Sequence, residues 1–115
     1  MSRFIGKQSE AQAKEYLYGL GLSCIDQNYY ATQAELDLIV LDNKNHVYFV
    51  EVKYRKHMNT LAYESITKRK RELMIQAANT FMFENSDIGD SFSLAVLLHS
   101  KDVWIWFPDA FDESC

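Results

Sequence analysis

The sequence predicts a mixed α/β domain: a sheet of about five strands with helices packed on it, in the order α-β-β-β-α-β-β. Three observations lead there. The chain has 115 residues, close to the commonest size of a single domain, so residues 1–115 are read as one unit. Its short apolar runs are mostly β-branched and aromatic, while two longer segments carry apolar residues at helical spacing. Finally, a strand, a long helix and a strand in succession form a crossover, which implies a parallel pair.

The first helix is expected around residues 9–20. Ser9-Glu10-Ala11-Gln12 fits a capping box with Ser9 as N-cap, although a start nearer Ser2 is equally open. Ala13, Tyr16, Leu17 and Leu20 make its apolar stripe, and Gly19 and Gly21 mark its end. Leu22–Tyr30 reads as a strand. Glu35–Leu41 and Val47–Arg55 are strands flanking the turn residues Asp42-Asn43-Lys44-Asn45, so they form a hairpin. Residues 56–64 read as a loop. Ile66 to about Phe83 is a helix opened by Ser65 or Thr67, with Leu73, Ala77 and Phe81 facing the core and Ile66 and Met74 flanking. Phe92–Leu98 and Val103–Phe107 close the sheet, and Pro108 stops the last strand.

Composition excludes several classes. With 48% hydrophobic and 14% aromatic residues the chain is not a disordered tail. Two cysteines, Cys24 and Cys115, make neither a disulfide framework nor a zinc-ligand spacing. Cys24 reads as a small core residue. No apolar run is long enough to span a bilayer, and the N-terminal residues lack the apolar stretch of a signal peptide, so a soluble cytoplasmic protein with no membrane partner is expected. His46 reads as turn surface, and His99 as a strand end. Of Trp104 and Trp106, one is expected in the core and one on a groove or interface.

The net charge of −4 hides an asymmetry. Residues 53–71 carry Lys53, Arg55, Lys56, Lys68, Arg69, Lys70 and Arg71 against Glu64 alone, a local +6, so the remainder sums to −10. Such a cluster can draw in a polyanion although the whole molecule is acidic. A charge run by itself is more often a solvated face.

The chemistry-bearing constellation lies in the hairpin. Side chains alternate with period two, so Leu36, Leu38 and Val40 are assigned one face and Glu35, Asp37, Ile39 and Leu41 the other. In the partner strand Phe49, Glu51, Lys53 and Arg55 share a face. A hairpin centred near Lys44 sets Leu38 against Val50, Leu36 against Val52, Asp37 against Glu51 and Glu35 against Lys53. A slide by two residues keeps the faces and changes the partners. Two carboxylates so placed, with Cβ atoms about 5 Å apart, repel by roughly 3 kcal/mol at an effective dielectric near 20. A raised pKa, the neighbouring Lys53 or a divalent cation relieves this. Oxygen donors on rigid strands suit Mg2+ or Mn2+, which can polarise a phosphate, with Lys53 orienting a nucleophile.

At Glu35-Leu36-Asp37 and Glu51-Val52-Lys53 the sequence resembles the D…E-x-K signature of the PD-(D/E)xK, or restriction-endonuclease-like, nuclease superfamily. It is most similar to the YraN-like family of small bacterial proteins, themselves similar to archaeal Holliday junction resolvases. The resemblance runs from about Phe4 to Phe111. It includes Gly6-Lys7-Gln8-Ser9-Glu10, Ala13-Lys14-Glu15-Tyr16-Leu17, Ala34-Glu35-Leu36-Asp37-Leu38-Ile39, Val47 through Arg55, Ile66-Thr67-Lys68-Arg69-Lys70 and Ala77-Ala78. The chain departs from the pattern at Ser9 and Ala34, where the family has glycine, at Ser93, where it often has aspartate, and at Lys68, where proline is usual. The resemblance implies a Mg2+-dependent (or Mn2+-dependent) endonuclease acting on branched or structured DNA. Asp37, Glu51 and the Val52 carbonyl would be metal ligands, Glu10 an outer metal or water ligand, and Lys53 the residue that positions water. Arg55, Lys56, Lys68, Arg69, Lys70 and Arg71 would meet the nucleic-acid backbone, and a homodimer follows by analogy. The competing readings are a non-catalytic nucleic-acid-binding module and a protein-interaction module on the same scaffold.

Overall fold

The computed structural model describes residues 2–55 and 67–110, with side chains from Glu10 onward. The observed order is α1 (Ser2–Gly19), β1 (Ser23–Ala31), β2 (Ala34–Leu41), β3 (His46–Tyr54), α2 (Lys68–Glu84), β4 (Ser91–Ser100) and β5 (Val103–Phe107). This is the expected α-β-β-β-α-β-β succession. The strands form one mixed sheet in the spatial order β1-β2-β3-β4-β5. Three neighbouring pairs are antiparallel; β3 and β4 are parallel, and the chain between them carries α2. A parallel pair needs such a long connection, because a tight turn returns the chain antiparallel. Among the described residues no helix is long and apolar enough to cross a membrane.

The two helices cover opposite sheet faces and divide the core. Met74, Ala77, Ala78 and Phe81 of α2 pack on Leu36, Ile39, Val47, Phe49 and Leu94. Ala13 and Leu17 of α1 pack on Leu38, Val40, Val50, Ala95 and Leu97. Met74 therefore lies at the centre of the α2 stripe and Leu73 at its margin, the reverse of the periodicity reading. Thr67 caps α2, its Oγ1 accepting from the Lys70 amide at 3.0 Å. Gly21 holds a φ of +89°, and the Gly21 and Leu22 amides close the end of α1 on the carbonyls of Tyr18 and Leu17. The helix already runs from Ser2, so Ser9 lies within it rather than capping it.

Three smaller assignments change. Cys24 is exposed on the edge strand β1. His46 is half-buried, its two ring nitrogens bonded to Ser91 Oγ at 2.6 Å and Ser93 Oγ at 2.7 Å. Trp104 and Trp106 both pack, partly buried, on the α1-side core, as residues two apart on a strand should. Lys56, assigned above to a nucleic-acid surface, lies outside the described residues.

The most informative departure is in β2. Leu36 belongs to the α2-side core and Leu38 to the α1-side core, although they are two residues apart. Strict alternation would place them together. The facing switches between them, at Asp37. Opposite this point, in β1, the pairing runs Gln27↔Leu38 then Tyr29↔Leu36, and the intervening Asn28 has a φ of 55°. A left-handed residue inside a strand disrupts the ladder locally and turns the chain. Asp37 thus sits at a kink, between the faces that α1 and α2 cover.

Candidate functional site

The hairpin register is the one centred near Lys44: Leu41↔Val47, Val40↔Tyr48, Ile39↔Phe49 and Leu38↔Val50. The ladder ends there. The next backbone donor of β3 is taken by a side chain: the Val52 amide donates to Asp37 Oδ2 at 2.8 Å. A carboxylate has replaced the backbone acceptor where β2 bends away. Asp37 is held by this bond, and its pKa is pushed up to about 7. Burial is the largest cause and the negative charge of Glu51 the next; the Val52 amide pulls the other way, and Glu35 and Glu10 add smaller upward pushes. The proton on Asp37 is therefore labile near neutral pH.

Glu51 is buried on the neighbouring strand. Its Oε2 is bracketed by two ammonium groups, Lys70 Nζ at 3.0 Å and Lys53 Nζ at 3.5 Å. Lys53 shares the Glu51 side of β3, as period two requires. Lys70 comes from the first turn of α2, which places its side chain over the sheet face that carries Glu51. Sequence reasoning assigned Lys70 to a nucleic-acid backbone and missed this partnership. Its only signal was a basic residue in the opening turn of the helix that follows the Glu-x-Lys strand.

Glu10 lies on α1, its Oε1 accepting from Asn28 Nδ2 at 3.3 Å, so the first helix is tied to the kinked edge strand beside Asp37. Lys68 and Arg69 are exposed at the start of α2, and Arg71 is half-buried. The Arg55 amide bonds to the His99 carbonyl at 2.9 Å, and its guanidinium to the Tyr54 carbonyl at 3.0 Å. The opening turn of α2 contains no acid. Cations at a helix N-terminus oppose its dipole, so this cluster does not serve the helix that bears it.

The donors named by the sequence are all oxygens, the kind a hard divalent cation takes. Among the described residues no three His, Cys, Asp or Glu side chains gather closely enough to hold an ion. A cation here would therefore rest on the Asp37–Glu51 pair and the Val52 carbonyl, with water or phosphate completing its shell. Mg2+ is commonly bound this way, through one or two carboxylates. The high pKa of Asp37, raised first by burial and next by Glu51, fits the same chemistry, since positive charge between the two acids would offset the second of these causes.

A five-stranded mixed sheet between two helices, with acids and ammonium groups packed where β2 and β3 part, defines a small α/β domain with a charged centre built on strands. The chain belongs to the uncharacterised protein family UPF0102, whose family model matches residues 9–103. It is 39% identical over 111 residues to a UPF0102 protein of Pseudomonas fluorescens (strain Pf0-1), covering 93% of this chain and 92% of the relative. A UPF0102 protein of Pseudomonas putida is 35% identical over 114 residues, with 93% and 92% covered. One from Alcanivorax borkumensis is 38% identical over 78 residues, with 67% and 62% covered.

Proposed function

We propose that this protein is a Mg2+- or Mn2+-dependent endonuclease that hydrolyses phosphodiester bonds in structured or branched DNA, on a restriction-endonuclease-like scaffold. The observation that carries the reading is the electrostatic pairing of Asp37 with Glu51 beside Lys53, at the point where the β2/β3 ladder opens. Asp37, Glu51 and the Val52 carbonyl would hold the cation, with Glu10 acting from the outer side. Lewis acidity toward the phosphate is the chemistry a cation would supply when bound there. Lys53 orients the attacking water through its ammonium hydrogens. Asp37, whose pKa is pushed up to about 7, would release its proton on taking up the cation. Arg55, Lys68, Arg69 and Arg71, with Lys56, hold the phosphate backbone by charge. A second copy of the chain would let paired strands be cut together.

One observation favours a second reading, a nucleic-acid-binding module without catalysis. Lys70 Nζ already sits 3.0 Å from Glu51 Oε2 and neutralises the acid that a cation would share. Under the first reading Lys70, whose side chain is 43% exposed, would face phosphate and leave Glu51 to the cation.

Incubation of a four-way DNA junction with Mg2+ and the wild-type chain separates the two. The enzyme reading predicts metal-dependent cleavage that falls at least about a hundredfold in Lys53→Ala, the range for loss of a positioned charge-stabilising group. Salt-sensitive binding with no cleavage in Mg2+ or Mn2+ establishes the binding module instead.

A further inference from the structure

Glu51 carries more positive charge than one carboxylate needs. It is buried on β3, and its Oε2 faces both Lys70 Nζ at 3.0 Å and Lys53 Nζ at 3.5 Å. Lys53 alone would balance it. With both ammonium groups in place the three side chains together hold one positive charge in excess. A divalent ion approaching this acid meets the excess as repulsion, and burial makes the repulsion stronger than it is in open water.

The two lysines are held differently. Lys53 stands two residues from Glu51 on the same strand, with its side chain 19% exposed. Lys70 reaches in from α2, with its side chain 43% exposed. The backbone beneath it is pinned: the Lys70 amide donates to Thr67 Oγ1 at 3.0 Å, and the Arg71 amide donates to the Thr67 carbonyl at 3.0 Å. Only a flexible four-carbon stem joins the ammonium to that fixed turn, so the head can leave Glu51 without any change of fold. Lys68 and Arg69 lie exposed in the same turn, which contains no acid. The helix dipole gives these cations no support there. Lys70 therefore stands between a buried carboxylate and a surface suited to phosphate.

We propose that Lys70 is a displaceable counterion, which closes Glu51 to divalent ions until a DNA backbone takes its ammonium group. This rests on the nuclease reading and adds the order in which its site fills: backbone first, cation second. Phosphates gathered by Lys68 and Arg69 offer the Lys70 ammonium a second anion in the turn that bears it. Its departure leaves Glu51 and Lys53 as a neutral pair beside Asp37, and the excess charge that repelled a divalent ion is gone. The coupling is reciprocal. The factor by which DNA tightens the cation is the factor by which the cation tightens DNA. A chain without DNA then holds divalent ions weakly, and the complete site forms only on nucleic acid.

The test is a titration of Mn2+, with the free ion read by electron paramagnetic resonance, into wild type, Lys70→Gln and Lys68→Gln. Glutamine at 70 keeps a donor for Glu51 and removes the charge. Lys68→Gln removes an equal charge from an exposed position of the same turn. Without DNA, Lys70→Gln should bind Mn2+ at least about tenfold tighter than wild type, and Lys68→Gln within about threefold of it. A purely structural Lys70 gives no such gain, because removing it would loosen the site. Wild type and Lys70→Gln are then titrated with a short phosphorothioate duplex, which keeps the backbone charge and resists hydrolysis; the duplex alone is the blank. The duplex should tighten Mn2+ at least about tenfold in wild type and less than about threefold in Lys70→Gln. Equal or weaker Mn2+ binding in Lys70→Gln, or an equal gain in Lys68→Gln, overturns the counterion and spares the divalent site. If Lys70→Gln fails to fold, wild type decides alone: a duplex that binds, by anisotropy, without tightening Mn2+ overturns the proposal. No saturable Mn2+ binding in any chain, with or without the duplex, overturns the counterion and the nuclease reading together.

Discussion

At Asp37 two requirements oppose each other. Its carboxylate must be buried enough to bond the Val52 amide, and it must also face the charge of Glu51. The result is a pKa near 7, against roughly 3.9 in an unfolded chain. The sign of the stability effect follows. Below about pH 4 both states are protonated and Asp37 costs nothing. As pH rises from about 4 to about 7 the unfolded chain releases the proton and the folded chain keeps it, so stability falls with rising pH. Above 7 the loss levels off. Asp37→Asn, which keeps an acceptor for Val52, should remove this slope and make the chain more stable than wild type at pH 8. Urea unfolding at pH 5 and pH 8 checks this, and a variant less stable than wild type at pH 8 refutes it. Natural cores seldom keep such a conflict unless the site uses it.

Among the elements, their succession along the chain, the Lys44-centred hairpin and the helix between two parallel strands were legible in the sequence, because period-two alternation and turn residues act over short range. The facing switch at Asp37 was not. It depends on Asn28 adopting a left-handed conformation in a strand made of other residues. The Lys70–Glu51 pair was hidden for a similar reason: the residues are 19 apart, and the pitch of α2 over the sheet decides whether they meet. The register was legible as far as Leu38↔Val50, where the ladder ends; the expected ladder pairs Leu36–Val52, Asp37–Glu51 and Glu35–Lys53 are not formed beyond it. Packing also constrains residues far from the site. A Cβ on Gly89 would lie 2.5 Å from the Asn45 carbonyl oxygen and 2.8 Å from Val47 Cγ2. Gly89→Ala should therefore cost about 1–3 kcal/mol, seen as a lower urea midpoint with an unchanged slope. Because Gly89 packs against the turn end of the β2/β3 hairpin, divalent-ion affinity should stay at the wild-type value.

The whole molecule is acidic, yet its basic residues gather along β3 and the opening of α2. Separation of this kind steers a polyanion to one region and repels it elsewhere, so binding should be strongly salt-dependent. Removing two phosphate contacts with Lys68→Ala and Arg69→Ala should lower the slope of log affinity against log salt by about 2 on duplex DNA. An unchanged slope would place the contact surface elsewhere. Sheet, helices and charge meet at the Asp37–Glu51 pair, and the proposed hydrolysis requires that pair to grip a divalent ion. Titration of Mn2+ into wild type and Asp37→Asn at pH 7.5, followed by the electron paramagnetic resonance of free Mn2+, tests this directly. One saturable site is expected in the wild type, with at least tenfold (about 1.4 kcal/mol) weaker binding in the variant; equal binding in the two chains would remove the divalent-ion site.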